Sequence, residues 1–136
     1  MVERALRVCA VLALGAALEM AAAQPAASSA QVTPLLTQPL IGVPGKEGVI
    51  LIVEYAPGVE SPPHRHNANT FVYVLDGAVE MQVEGGERVM LEAGQTFYES
   101  PSDIHSVSRN ASDTEPARIL VFMVKEEGAP VTLPVE

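Results

Sequence analysis

The chain has one cysteine, no tryptophan and only 4% aromatic residues among 136 positions. A single thiol excludes an internal disulfide framework and any zinc site made of cysteines alone. With so few rings, the core has to be built from Val, Leu, Ile and Met. Basic residues are also scarce, 8 Lys and Arg against 17 Asp and Glu, for a net charge of −9. Nucleic acid and anionic lipid are held through Lys/Arg clusters, and the sequence has none, so neither is expected as a partner. Phosphate-binding loops, nucleophile elbows and nucleotide fingerprints are missing too. What the chain does have is apolar content, 48% and spread along its length, too much for a disordered polymer. A chain of this size supports one domain, which buries roughly two thirds of its extended surface without staples.

Residues 1–23 read as a secretory leader. Arg4 and Arg7 supply a positive start, Val8 to Leu18 an apolar run, and Ala21-Ala22-Ala23 a cleavage triplet. The run has about 11 residues, whereas a bilayer span needs roughly 20, which argues against a permanent anchor. Cleavage after Ala23 predicts a periplasmic or secreted protein that meets no membrane afterwards. It removes Cys9 together with two Arg and two Glu, so the net charge stays at −9. A mature chain without thiols suits an oxidising compartment.

Beyond the leader, residues 24–38 are expected to form a linker and an edge strand, residues 39–128 the folded domain, and residues 129–136 a tail. The pattern is all-β. Val49 to Tyr55 is a strong apolar strand, and Thr70 to Leu75 is rich in β-branched and aromatic residues. Asp76-Gly77 reads as a hairpin turn. Val79, Met81 and Val83 alternate with polar residues, Gly85-Gly86 makes a second turn, and further short strands follow to Val124. No helical periodicity appears after the leader. Eight to ten short strands at regular spacing predict a β-sandwich or barrel.

All three histidines fall in two small clusters. His64 and His66 stand two apart, so on an extended segment both face the same way. His105 follows a Pro101-Ser102-Asp103 turn and enters a strand that can pair back toward them. Three neutral imidazoles on one face would bind a divalent transition metal and leave coordination positions open. An H-x-H pair alone is weak evidence, since isolated histidines are more often surface or core residues. The surroundings strengthen it.

Those surroundings resemble the cupin family. Its first motif, G-x5-H-x-H-x3-4-E-x6-G, is matched by Gly58, His64, His66 and Gly77, with Thr70 (or Phe71 at the longer spacing) where the Glu belongs. In the second motif, Gly94, Pro101, His105 and Asn110 correspond, with one residue fewer between Pro and His and one more between His and Asn. The resemblance covers roughly residues 47–125. It implies a single-domain jelly-roll barrel, with His64, His66 and His105 as metal ligands and the carboxylate ligand absent. A three-histidine set favours Fe(II), Zn, Cu or Ni over Mn, because it lacks the harder oxygen donor.

Glu99 is the first candidate to fill the missing position and Asp103 the second, with solvated turn acids as the alternative. Tyr73, Tyr98, Phe97 and Met81 are candidates to line a pocket, although strand tyrosines and alternating methionines more often pack. Three readings remain open: a metal-dependent enzyme acting on a small molecule (dioxygenase-type, or an isomerase or lyase), a non-catalytic module holding a metal or small ligand, and a purely structural jelly roll without metal, against which the retention of every histidine at a motif position speaks. A homodimer is expected by analogy with the family.

Overall fold

The computed structural model describes residues 29–135. The expected leader, residues 1–23, and the first linker residues lie outside the described residues. Eleven strands follow in order: β1 (Gln31–Pro39), β2 (Lys46–Tyr55), β3 (Glu60–Ser61), β4 (His64–Arg65), β5 (Asn69–Asp76), β6 (Ala78–Val83), β7 (Val89–Glu92), β8 (Thr96–Glu99), β9 (His105–Asn110), β10 (Ala117–Glu126) and β11 (Leu133–Pro134). The class is all-β, as the alternation predicts. The count slightly exceeds eight to ten because three strands are only two residues long. Among the described residues no helix is long and apolar enough to cross a membrane.

Every pairing is antiparallel. One sheet runs β1-β2-β10-β5-β8 and the other β11-β4-β9-β6-β7, with β3 also on β9. The two inner faces meet over a core of Leu51 and Val53 from β2, Val72 and Val74 from β5, Val79 and Met81 from β6, and Ile119, Val121 and Met123 from β10. Alternation explains the choice. In β10 the pattern from Ala117 is strictly buried, then exposed or half-buried, so Ile119, Val121 and Met123 share one face. Each fully buried side chain of this kind contributes about 1.5–3 kcal/mol, and Val74, Val79 and Met81 are completely shielded.

The chain repeatedly switches sheets, and this corrects one expectation. Asp76-Gly77 is not a hairpin, because β5 and β6 belong to opposite sheets. Gly77 is the corner. Its φ is +71°, and a Cβ there would stand 2.5 Å from the Pro116 carbonyl oxygen and 2.9 Å from the Ala117 Cα. Only glycine satisfies both the left-handed backbone and that approach. The true hairpin is the next one, where β6 and β7 pair through Ala78↔Glu92 to Met81↔Val89 around Gly85-Gly86.

The ends of the described chain belong to the barrel. β1 pairs with β2 along its length and forms the sheet edge, as its prolines predict. In the tail, the short apolar piece Val131 to Val135, which could add an edge strand, does so: Leu133 and Pro134 pair with Arg65 and His64 at the edge of the other sheet.

Candidate metal centre

His64 opens β4 and is the direct cross-strand partner of His105 at the start of β9. His66 follows β4 on the same face as His64. Asn67 then turns the chain into β5 with a left-handed φ of +50°, a conformation that asparagine tolerates. The result is compact. One nitrogen from each of the three rings lies within 4.8 Å of the other two. Ring centroids are 4.8 Å apart for His64 and His66 and 5.0 Å for His64 and His105.

The spacing of the second motif, one residue longer than the family's between His105 and Asn110, has a structural counterpart. An odd separation would send the two side chains to opposite faces of a regular strand. The β6–β9 ladder carries a bulge here: Gln82 pairs with Val107 and Val83 with His105, so Ser106 is the extra residue. The bulge restores parity, and His105, Ser108 and Asn110 are all buried.

The outer nitrogens of two rings are fixed. His64 Nδ1 donates to the Pro62 carbonyl at 2.8 Å, and His66 Nδ1 to the Val131 carbonyl at 2.7 Å. Each bond fixes the tautomer of the neutral ring with its proton on Nδ1, so that Nε2 carries the lone pair a metal would use. His105 is buried, stacks on Phe97 at 6.0 Å between centroids, and has no hydrogen-bond partner on either nitrogen. A buried ring with two idle nitrogens is costly unless something else binds it. Burial, and then the charges of His64 and His66, push its pKa down to about 3, and burial holds His66 below the usual imidazole range. Protons therefore compete little for these nitrogens, which fits a divalent transition metal.

Glu99 and Thr70 stand beside the cluster. The Glu99 Oε2 lies 3.3 Å from His105 Nδ1 and 3.7 Å from His66 Nε2, without hydrogen-bond alignment to His105. Burial, assisted by the nearby Asp103 charge, pushes Glu99 up to about 8. Asp103 itself turns away and accepts from the Ser100 backbone N–H. Thr70 is buried, and its hydroxyl has no partner.

His64 and His66, with Thr70 and Glu99, border a cavity of about 230 Å³ walled mainly by Leu51, Val53, Val72, Ile119, Val121 and Met123. A dry apolar cavity of about 150 Å³ already accepts benzene, so this one has room for a substituted ring or a similar compact molecule. Tyr55 and Ser108 also line it, their hydroxyls joined at 2.7 Å. These two were missed in the sequence, where Tyr55 reads only as the end of a strand.

The other candidates separate. Phe97 is on the inner side against His105. Met81 is fully buried core rather than cavity wall. Tyr73 and Tyr98 are not in the cavity: both are about half exposed on the outer face with Phe71 and Phe122, and Tyr98 donates to Asn69 Oδ1 at 2.7 Å. Parity decides this, since Thr70 and Val72 point inward on β5 and Tyr73 must then point out.

The buried acid and imidazole make metal-free stability depend on pH. Between 3 and 6.5 the unfolded chain binds a proton at His105 that the folded protein does not, so stability rises with pH. Between 4.5 and 8 the folded protein keeps a proton on Glu99 that the unfolded chain has released, so stability falls. The two slopes oppose each other from 4.5 to 6.5. Above 6.5 only the Glu99 slope remains, at most about 1.4 kcal/mol per pH unit. Urea unfolding of metal-free protein is expected to show this decline from pH 6.5 to 8, and Glu99→Gln to abolish it. A flat wild-type profile would refute the assignment.

Residues 51–123 match the cupin domain family. The chain is 34% identical over 86 residues to an oryzines biosynthesis cluster protein of Aspergillus oryzae, covering 63% of this chain and 46% of that one. It is 28% identical over 84 residues to a cupin-domain-containing oxidoreductase of Aspergillus ruber, covering 61% and 41%. The chain thus spans less than half the length of these relatives. A solved protein with a double-stranded β-helix domain from Klebsiella pneumoniae superposes with a TM-score of 0.63 at 22% identity, over 83% of this chain and 90% of that one. With more than half of its residues inside the family match, and both histidine motifs brought together in a jelly-roll barrel, this chain belongs to the cupin family.

Proposed function

We propose that this cupin is an exported metal-dependent oxidoreductase, of dioxygenase type, acting on a compact and largely apolar small molecule. The observation that carries the reading is the convergence of three buried or half-buried imidazoles on one point, at the border of a largely apolar cavity that His64 and His66 line. His64, His66 and His105 would hold the ion, which when bound supplies Lewis-acid and redox activation of substrate and oxygen. The chain's own residues do the rest. The Pro62 and Val131 carbonyls keep the two motif-one rings aimed inward. The aliphatic walls favour an apolar occupant over water. The Tyr55–Ser108 hydroxyl pair offers one neutral polar group to orient a substrate oxygen. The name of the Aspergillus ruber relative supports oxidoreductase chemistry, and the leader at residues 1–23 supports a periplasmic or secreted location.

Oxygen uptake by the Fe(II)-loaded protein across phenols, diketones and thiols tests this reading. Consumption in proportion to substrate is expected for at least one class. Metal-loaded protein that consumes none across the panel would favour the second reading, a non-catalytic binding module, for which the missing motif carboxylate speaks. A homodimer belongs to the same proposal. β1 is an uncharged edge strand with Val32, Leu35 and Leu36 exposed, and sedimentation of the purified chain at the monomer mass would refute pairing.

A further inference from the structure

The first cupin motif leaves Thr70 where a carboxylate would stand, and the sheet supplies one from the side. Thr70 on β5 is the direct cross-strand partner of Glu99 on β8. Paired residues share a face and sit about 5 Å apart, so a carboxylate on the neighbouring strand reaches the same point in space. Both side chains are at least 98% shielded from solvent, an unusual position for a glutamate.

Donor atoms bound to one first-row ion at about 2.1 Å stand about 3.0–3.4 Å apart. The Glu99 Oε2 is 3.3 Å from His105 Nδ1 and 3.7 Å from His66 Nε2, the inward nitrogen of that ring. An oxygen that merely oriented His105 from behind would be close to one ring and far from the other. This one is close to both. The Thr70 hydroxyl, unpartnered and buried, marks the vacated anchor.

We infer that Glu99 is a fourth metal ligand, delivered from β8 in place of the carboxylate that the first motif lacks at Thr70. The inference rests on the three-histidine centre proposed above. The ligand set becomes three imidazoles and one carboxylate, drawn from three segments rather than from two motifs. Its oxygen makes the donor set harder, which extends the accepted ions toward Mn(II).

The test titrates Co(II) alone into metal-free full-length protein, reading affinity by chelator competition and ligand set by the visible Co(II) spectrum. Circular dichroism checks that each variant is folded. Glu99→Ala is expected to weaken binding at least about 100-fold, beyond the usual effect of a residue that only orients a ligand, and to change the spectrum. Glu99→Gln, nearly isosteric, is expected to do the same in milder degree. The double variant Thr70→Glu/Glu99→Ala moves the carboxylate back to the motif position and is expected to restore most of the affinity. Wild-type affinity and spectrum in Glu99→Ala, with binding lost in His64→Ala, would overturn the inference while leaving the three-histidine centre intact. A weakened Glu99→Ala with an unchanged spectrum and no recovery in the double variant would also overturn it, making Glu99 a positioning residue. Wild-type binding in His64→Ala would instead sink the underlying centre.

Discussion

Replacing His105 by alanine is expected to strip the protein of its metal, lowering affinity by at least about 100-fold, or about 3 kcal/mol. The reason lies in the ring's surroundings. Its nitrogens are shielded from water and have no aligned protein hydrogen bond, with the Glu99 Oε2 nearby at 3.3 Å, so a bound ion would compensate for their burial. The same fact separates binding from folding. An unsatisfied buried polar group costs about 1–3 kcal/mol, and removing it offsets the cavity left by the ring. Metal-free His105→Ala is therefore expected to keep its stability within about 1 kcal/mol of wild type. Metal content by elemental analysis and urea unfolding of the metal-free protein check both halves. If His105→Ala and His64→Ala retain metal at the wild-type level, the centre is misassigned.

Asn110→Ala is expected to show the opposite pattern, a large loss of stability from a residue that touches no ligand. Asn110 is fully buried. Its Nδ2 serves the carbonyls of Tyr55, Ala56 and Glu115 at 3.3, 3.1 and 2.8 Å, and its Oδ1 accepts from the Ser112 backbone N–H at 2.9 Å. One side chain thus ties the end of β2 to the loop between β9 and β10. Truncation removes the two amide N–H groups that the three carbonyls share and the acceptor of the Ser112 N–H, although the Ala56 carbonyl keeps the Val59 N–H. At about 1–3 kcal/mol for each group that stays dry, the loss should reach about 3–5 kcal/mol. Asn110→Asp keeps the shape but turns a carboxylate toward three carbonyl oxygens, and it should cost at least as much. Urea midpoints measure both, and a shift equivalent to less than 1 kcal/mol in each would refute the role.

Much of the fold was legible because its signals are local. Alternation in β10 and the i, i+2 relation of His64 and His66 require only neighbouring residues. The site was legible up to the three rings. Glu99 could be named as a candidate, yet its placement opposite Thr70 depends on the β5–β8 register, which no single segment encodes. Asp76-Gly77 misled for a related reason: the dipeptide signals a left-handed bend, but whether the next strand pairs with the last or crosses to the other sheet depends on distant packing, and here Gly77 lies against Pro116 and Ala117, some 40 positions away. Tyr73 and Tyr98 were a matter of parity. Once Thr70 and Glu99 are known to face inward, the alternation places both rings outside.

The bond from His66 to the Val131 carbonyl carries a consequence for the order of assembly. The two residues are 65 positions apart, and β11 reaches the site only by pairing with β4. A nascent chain that has already delivered both histidine motifs still lacks the contact that aims His66, so the centre matures only after residue 131 has docked. Metal capture should then coincide with the last phase of folding, and truncation before Val131 should leave a barrel that folds yet hands its ion readily to a chelator.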